Sequence, residues 1–372
     1  MQLRKQASAD THNDTKEKKN MGETFNITAE MLKVKGACAS GMRDFLKEFP
    51  REQYPDGADY QEILNRCAEH ERADYAEWLI QEFGATNTTL SVDKINTDGY
   101  VFFAGRIEAR GEIRCKAIRA GREIEAGEGI KAGWGIKADC GIKAGEGIKA
   151  GWGIKVGCGI EAGEGIEAGE GIKAGCSIKA DWGIKAGCGI KAGCGIEAGE
   201  DIEAGEGIKA GWGIKAGCGI KADRGIKAGW GIKAGEGIED SCGIEAGEGI
   251  EAGCGIKAGW GIKAGEGIEA GRDIEAGEGI EAGCGIEAGC GIKAGCGIKV
   301  GWGIEADCGI KAGEGIEAGE GIKAGDGIEA GEDFGVYAGL AVRLSDKSKY
   351  AKITAKEKPA NIICGEWVPF DD

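Results

Sequence analysis

Residues 124–159 read IEAGEG IKAGWG IKADCG IKAGEG IKAGWG IKVGCG. The isoleucine that opens each hexad recurs every six residues from Ile124 to Ile328, at 35 consecutive positions without an insertion or deletion. The repeated unit is I-K/E-A-G-x-G, in which x is most often Glu, Cys or Trp. A fixed short period of this kind indicates a repeat architecture, in which each unit packs against the next.

The composition excludes several other classes of protein. Glycine accounts for 73 of 372 residues and proline for only 4. A collagen triple helix is excluded because it needs glycine at every third position and abundant proline, and the regular isoleucines argue against a disordered glycine linker. No run of 18 apolar residues predicts a membrane span, and residues 1–20 lack the apolar core of a secretory signal. We therefore expect a cytoplasmic protein whose 16 cysteines are reduced thiols.

Each hexad position tolerates its own set of residues. The second position holds Lys 20 times and Glu 15 times, so it faces water. Because side chains alternate along a strand, the first-position Ile and the third-position Ala then face inward. The x position accepts both Trp and Glu and is expected to lie outward on a corner. Both glycine positions depart almost only to Asp or Ser, and since Asp tolerates positive φ, turn geometry is the predicted reason for these glycines.

Three-residue strands separated by three-residue turns predict a mainly β fold, a single-stranded β-solenoid (β-helix) whose coils hydrogen-bond to one another. A coil with three faces takes three hexads, about 18 residues, and a coil with two faces takes two hexads, about 12 residues. The x residues at 128, 134 and 140 read Glu-Trp-Cys, and this triplet returns at 146, 152 and 158, which favours the coil of three hexads. At a strand spacing of about 4.8 Å, the hexads predict roughly 12 coils and a rod about 55 Å long.

The composition of the flanks predicts a helical domain and caps around the solenoid. Thr28 is a candidate N-cap for the first of three or four helices. Both flanks are expected to protect the exposed strand edges at the ends of the solenoid. The predicted segments are a disordered tail at 1–24, a small helical domain at 25–88, the β-solenoid at 89–344 with strict hexads over 124–333, and a C-terminal cap or tail at 345–372.

Candidate catalytic residues are scarce. The only two histidines in the sequence are His12 and His70. Cys67 lies three residues before His70 on a predicted helix, where the two could form a thiolate pair, but no third group that would orient them is evident. We therefore expect a protein that is not an enzyme and that needs no cofactor.

Twelve cysteines occupy x positions. With three hexads per coil, four of them stack in one column, for which soft-metal binding or oxidative cross-linking is conceivable. No C-x-x-C pair occurs, so a closed zinc site has no support in the sequence and no metal is expected. The stacked cysteines are Cys140, Cys158, Cys176 and Cys194.

Seven tryptophans at x positions are the predicted partner-binding residues. Exposed tryptophan commonly marks a surface that contacts protein, glycan or nucleobase. The seven do not fall on one face under either coil length. They are Trp134, Trp152, Trp182, Trp212, Trp230, Trp260 and Trp302.

The formal net charge of −16 raises a further possibility, an acidic module that imitates DNA. Residues 122–332 carry 37 acidic and 23 basic side chains, a net of −14. A duplex about 55 Å long would carry roughly 32 negative charges and no cations, so the imitation is poor. The negative charge also disfavours direct binding to nucleic acid. A hexapeptide acyltransferase is disfavoured too, because that pattern wants a small residue at x and a catalytic histidine, which the repeats lack.

The stretch G-R-I-E-A-R-G-E-I at 105–113, followed by I-R-A-G at 118–121, resembles the G-x-I-x-A rhythm of bactofilin-type, polymer-forming β-helix proteins. The resemblance covers roughly residues 90–344 and implies a bacterial cytoskeletal scaffold that polymerises end to end without nucleotide. This chain departs from that family in its strict hexad and its helical N-terminal domain. The segment K-G-A-C-A-S-G-M-R-D-F at 35–45 resembles a module that precedes bacterial or phage repeat proteins, to which no activity is attached.

The sequence thus predicts a non-enzymatic structural or interaction scaffold, self-assembling end to end or side by side, or binding another protein. The alternative is an acidic binding module or inhibitor that acts on a protein partner. Such a module would work either as a DNA mimic or as an adaptor that uses the corner tryptophans.

Overall fold

The computed structural model describes residues 25–370, so the predicted disordered tail at 1–24 lies outside the described residues. The chain divides into two compact units, the first ending at Gly169 and the second beginning at Glu170. Both units are built from parallel β-solenoid coils, about 16 turns of roughly 18 residues in all, and the first also carries a small helical region. The predicted mainly β solenoid with three hexads per coil is confirmed, and the alternative of two hexads per coil is wrong.

A cluster of helices lies before the solenoid in the first unit. Thr28 is the N-cap of the first helix, as predicted, and its hydroxyl accepts a hydrogen bond from the Met31 N–H at 3.2 Å. None of the helices within residues 25–370 has the length and apolarity needed to span a membrane. The four helices are α1 (Ala29–Val34), α2 (Ala39–Glu48), α3 (Tyr60–Glu69) and α4 (Ala73–Phe83).

The helices are held around an aromatic core. Tyr60 at the start of α3 is buried, and its hydroxyl donates a hydrogen bond to the Leu79 carbonyl of α4 at 3.1 Å. Its ring lies 5.2 Å from the ring of Phe25. A two-stranded antiparallel ribbon, Asn26–Ile27 with Ala58–Asp59, ties the segment before α1 to the start of α3.

The regular solenoid consists of three-residue strands that each begin at a repeat isoleucine. There are 34 of them, from Ile124–Ala126 to Ile322–Ala324, one every six residues. The last three strands that the structure describes lie in the segment predicted as a cap or tail. Two of them pair with solenoid strands, and the third, Glu366–Pro369, pairs with Lys352–Ala355. The less regular strands are Thr89–Val92, Ile95–Asn96, Tyr100–Phe103, Arg106–Ala109, Ile113–Cys115 and Ala117–Ala120 before the hexads, and Ile328–Glu329, Val336–Tyr337, Lys352–Ala355, Ile362–Cys364 and Glu366–Pro369 after them. A 3-10 turn, Leu344–Asp346, and a short helix, α5 (Lys347–Tyr350), precede the last three.

Neighbouring coils pair in register, so that each residue lies beside its equivalent three hexads later. Ile130 pairs with Ile148, and Lys131 pairs with Lys149. In the hexads every repeat isoleucine is 6% exposed or less, and the third position is buried as well from Ala126 to Ala324. The second position faces outward, so the predicted inward and outward positions of the strand are correct.

The x residues lie at the corners between strands and form columns that run from coil to coil. The x-position N–H donates to the carbonyl of the x residue one coil earlier, as Trp152 does to Trp134 at 2.9 Å. A side chain at x therefore has the x side chains of the previous and following coils as its neighbours. The residues that are neighbours on one corner are therefore found at the x positions of every third hexad in the sequence.

The predicted reason for the repeat glycines is wrong. In the hexads, all of which the structure describes, only Gly225 has a φ in the left-handed region, at 117°. The fourth-position glycines instead lie against the backbone of the previous coil: a Cβ on Gly277 would be 1.9 Å from the carbonyl oxygen of Gly259. A Cβ on the sixth-position Gly279 would be 3.3 Å from the Gly297 carbonyl oxygen, a tight but tolerable contact. Close approach between coils therefore disfavours side chains at the fourth position.

Helix α3 covers one strand edge of the first coil. The side-chain amide of Gln61 donates to the Phe102 carbonyl at 2.8 Å, and its oxygen accepts from the Ala104 N–H at 3.0 Å. Gln61 thus bonds to the strand Tyr100–Phe103 as a neighbouring strand would. This edge is closed to further strand pairing.

Candidate protein-binding groove

The second unit has three outer faces, each a parallel sheet. We name them in chain order: face 1 contains the strand that begins at Ile172 and every third strand after it, face 2 the series from Ile178, and face 3 the series from Ile184. The x residue that precedes a strand lies on the corner that leads into that face. Corner 1–2 therefore carries the x residues that precede face 2, and the same naming gives corners 2–3 and 3–1.

A groove of about 1180 Å³ runs along face 2, between Ser177 and Thr354. It is lined by Gly-Ile backbone, by the second-position Lys and Glu side chains of face 2, and by two tryptophans of corner 1–2, Trp212 and Trp230. Their rings are stacked, with centroids 5.5 Å apart and planes 9° apart, because they occupy the same corner on successive coils. Both side chains are about half exposed, at 53% and 54%.

The groove also contains an acidic run. Glu251, Glu269, Glu287 and Glu305 lie beside one another on four successive coils of face 2. The outer two are ion-paired, Glu251 with Lys233 at 2.5 Å and Glu305 with a lysine at 2.6 Å. Glu269 and Glu287 have only glutamates as their neighbours in the sheet. Like charges directly opposite each other are destabilising, so this run costs stability unless a cation is supplied from outside.

The second positions of the other faces carry a different pattern of charge. Face 1 has lysine on four successive coils, from Lys173 to Lys227. Many second-position side chains form Lys–Glu pairs across successive coils, such as Lys149 with Glu167 at 2.6 Å and Lys263 with Glu281 at 3.0 Å. Charge followed along the chain from hexad to hexad does not reveal the glutamate run, because consecutive hexads lie on three different faces. Reading the second position at every third hexad would have found it.

Two of the predicted tryptophans form a second stack, in the first unit. Trp134 and Trp152 have ring centroids 4.8 Å apart and planes 10° apart, and Tyr100 meets Trp134 edge-on. Here the chain supplies its own cation, because the Lys116 ammonium lies 5.0 Å from the Trp134 ring centroid and 2.8 Å from a carboxylate oxygen of Glu71. In the part of the chain that the structure describes, no lysine or arginine lies over Trp212 or Trp230.

The other three predicted tryptophans are not brought together. Trp182 lies on corner 2–3 and Trp260 on corner 3–1, while Trp302 shares corner 1–2 with Trp230 but is four coils farther along. All three are more than half exposed. The prediction that the tryptophans do not share one face agrees with this placement.

The Cys67–His70 pair is not arranged as an activated thiol. Cys67 is buried in the helical core, and that burial raises the pKa of its thiol to about 12. His70 directs its Nε2 atom to Glu48 Oε1, 3.3 Å away. Within residues 25–370, no group of three or more His, Cys, Asp and Glu side chains is placed to hold a metal ion.

Asp240, the one charged residue at a third position, is almost completely buried. Burial raises the pKa of its carboxyl, although hydrogen bonds from the backbone N–H groups of Gly225 and Cys242, both at 2.8 Å, act in the opposite direction. These bonds hold the corner where Gly225 takes its positive φ. We therefore assign Asp240 a structural role in that turn.

Comparison with known protein families gives a match in the helical region. The family model described as the YdhT N-terminal domain matches residues 19–87. The match ends just before the first solenoid strand, so it describes the helical part of the first unit alone. No curated protein and no solved structure matches the chain.

Proposed function

We propose that the chain is a cytoplasmic, non-enzymatic interaction scaffold whose solenoid binds a basic segment of a partner protein. The observation that carries this proposal is the groove on face 2, where the stacked Trp212 and Trp230 lie along the same surface as the unpaired Glu269 and Glu287. Face 1 instead carries a run of lysines on four successive coils, from Lys173 to Lys227, whereas face 2 retains an acidic run.

The chemistry of the glutamate run and of the tryptophan stack in the groove fits lysine and arginine side chains. Tryptophan is the aromatic residue that best attracts a cation to its ring face, and carboxylates bind ammonium and guanidinium groups through charge-assisted hydrogen bonds. A basic segment would relieve the repulsion among the four glutamates of face 2. This arrangement combines the two alternatives from the sequence, an acidic binding module and a tryptophan-mediated adaptor.

The groove has the length of an extended peptide. It follows face 2 from Ile178 to Ile322, nine strands that span about 38 Å at about 4.8 Å per coil. An extended chain covers that distance with about 11 residues. The expected ligand is therefore a segment of roughly that length rather than a single side chain.

Binding is tested with a fluorescent, extended peptide of about 12 lysines and arginines, followed by fluorescence anisotropy. We expect the double substitution Glu269→Gln and Glu287→Gln to weaken binding about tenfold, because two uncompensated charges are removed. Substitution of both Trp212 and Trp230 by Ala should weaken it by a similar factor through loss of cation–π contacts. Binding of the wild type should fall steeply as salt is raised.

Control variants test whether the peptide recognises the groove or only the net negative charge of the protein. Glu203→Gln and Glu281→Gln remove two charges outside the groove that already have lysine partners, and Trp260→Ala removes an exposed tryptophan on corner 3–1. These changes should leave the peptide affinity within about twofold. If they weaken binding as much as the groove variants do, the peptide recognises net charge alone and the groove is not the site.

End-to-end self-assembly is the second candidate function, supported by the C-terminal strands of the second unit. The three faces end in Ile328–Glu329, Ile362–Cys364 and Glu366–Pro369, each with one neighbouring strand. Ile363 on one of these edge strands is 64% exposed. An exposed edge with an apolar side chain favours pairing with another chain, whereas Gln61 closes an edge in the first unit. We expect pairing through the C-terminal edge and hence particles of two chains.

Light scattering and negative-stain microscopy of the reduced protein test this assembly. We expect a two-chain mass for the wild type and a one-chain mass for Ile363→Lys, because a charge on the edge opposes strand pairing. Leu340→Lys, at an exposed residue outside the edge strands, serves as the control and should stay two-chain. A one-chain wild type contradicts the proposal, and long filaments would show that both ends pair, as in the polymer-forming scaffold.

A further inference from the structure

The corner cysteines fall into two groups that the sequence repeat alone does not distinguish. Within the separate units, three pairs occupy the same corner on successive coils, and in each pair one residue is exposed and the other half-buried. Six other corner cysteines have Glu, Arg or Trp on the coils before and after them. The pairs are Cys140/Cys158, Cys176/Cys194 and Cys290/Cys308; the others are Cys188, Cys218, Cys242, Cys254, Cys284 and Cys296.

The geometry of each pair is close to that of a disulfide. The N–H of the later cysteine donates to the carbonyl of the earlier one, at 2.9 Å for Cys140/Cys158 and 3.0 Å for Cys290/Cys308. Residues in register on neighbouring strands have Cα atoms about 4.8 Å apart, inside the range of about 4.4–6.8 Å that a disulfide spans. The Cβ atoms must approach by roughly 1 Å, and such strain makes a disulfide easier to reduce.

We propose that these three pairs form reversible disulfides between successive coils when the chain meets a low-molecular-weight disulfide such as glutathione disulfide. The exposed thiol, Cys308 in the third pair, loses its proton and attacks one sulfur of glutathione disulfide, which releases one glutathione thiolate. Cys290 then loses its proton and attacks the Cys308 sulfur, which releases the second. The two protein thiols are oxidised to one disulfide, and one glutathione disulfide is reduced to two glutathiones, which take up the two protons. This modification is independent of the proposed binding of a basic segment.

The two groups of cysteines provide an internal comparison in the full-length protein. The reduced chain is incubated with glutathione disulfide at about pH 8.5, near the ordinary pKa of a thiol, because burial raises the pKa of Cys308 and the neighbouring Cys290 and Asp326 raise it further. Free thiols are then alkylated and the tryptic peptides are identified by mass spectrometry. Lys293 and Lys299 lie between Cys290 and Cys308, so trypsin releases the two cysteines in separate peptides. These peptides stay joined only if a disulfide links them.

We expect the linked Cys290–Cys308 peptide to outweigh glutathione adducts at these two residues by at least about tenfold, while Cys296 gives only the adduct or the free thiol. Cys290→Ser should convert Cys308 to the adduct, and Cys296→Ser should leave the link unchanged. Addition of reduced glutathione should reverse it. Adducts on Cys290 and Cys308 in the same yield as on Cys296 would overturn the proposal, as would links between different chains.

Discussion

Arg119→Met is expected to destabilise the junction between α4 and the first coils by about 2–4 kcal/mol, because it breaks a buried ion pair and leaves the partly buried Glu77 carboxylate with Lys137 as its remaining partner. The Arg119 side chain is only 5% exposed. Its Nε atom donates to Glu77 of α4 at 2.8 Å, and one Nη atom donates to Asp139 of a later coil at 2.7 Å. The loss should appear as hydrogen exchange in α4 that is about a hundredfold faster.

The matched control is Arg224→Met, which breaks another arginine pair on the solenoid. Arg224 lies 3.2 Å from Glu206, but its side chain is 71% exposed, so the expected loss is about 0–1 kcal/mol. Equal effects of the two substitutions would show that Arg119 contributes no more than a surface ion pair.

The pH dependence of the same junction gives an independent readout. Burial alone would raise the pKa of Glu77, but Lys137 and Arg119 lower it further than burial raises it, so the net pKa lies below its ordinary value. A depressed carboxyl pKa contributes stability above the ordinary value of about 4.3, and that stability is lost as the pH falls through the folded-state pKa. Arg119→Met should therefore lose less stability on acidification than the wild type does.

Arg119 also shows what the sequence could and could not predict. It stands at a second position, directly after Ile118, and second positions face water throughout the strict hexads. The period of six is enough to place each side chain inside or outside its own coil. It carries no information on where the helices pack, and α4 buries this one outward-facing residue.

The binding groove was predictable in part. The exposure of the corner tryptophans follows from the tolerance of the x position, and all seven are more than a third exposed. Two other features depend on the number of hexads in a coil, namely the stacking of Trp212 on Trp230 and the run that includes Glu269 and Glu287. The sequence favours three hexads per coil but does not exclude two. Once the coil size is known, both features can be read directly from the sequence.

The role of the repeat glycines could not be predicted correctly from the sequence, for a different physical reason. Asp and Ser replace glycine at both the fourth and the sixth positions, and this pattern is compatible with positive φ as well as with limited space. What distinguishes the two positions is the distance to a carbonyl group on the neighbouring coil. A hexad contains no information about that distance, since it is set by the pairing of coils.

Gly277→Ala is expected to cost about 1–3 kcal/mol, because its Cβ would lie 1.9 Å from the Gly259 carbonyl oxygen and the coils must separate to admit it. The cost stays within this range because the backbone can shift. At the fourth-position residues Asp139 and Ser241, the hydrogen bond from the N–H to the previous coil is 3.3 Å, compared with 3.0 Å at Gly277. Thermal unfolding, with hydrogen exchange in Ile274–Ala276 and Ile280–Ala282, measures the loss.

Gly279→Ala, two residues later on the same corner, is the matched control. Both substitutions exchange glycine for alanine, so they reduce the freedom of the unfolded chain equally, an effect that by itself stabilises by about 0.4–1 kcal/mol. At Gly279 the added Cβ is 3.3 Å from the nearest carbonyl oxygen, so we expect a neutral or slightly stabilising change. If both glycines served positive φ, the two variants would be destabilised alike. A difference between them measures the contact between coils, which is what disfavours side chains at the fourth position.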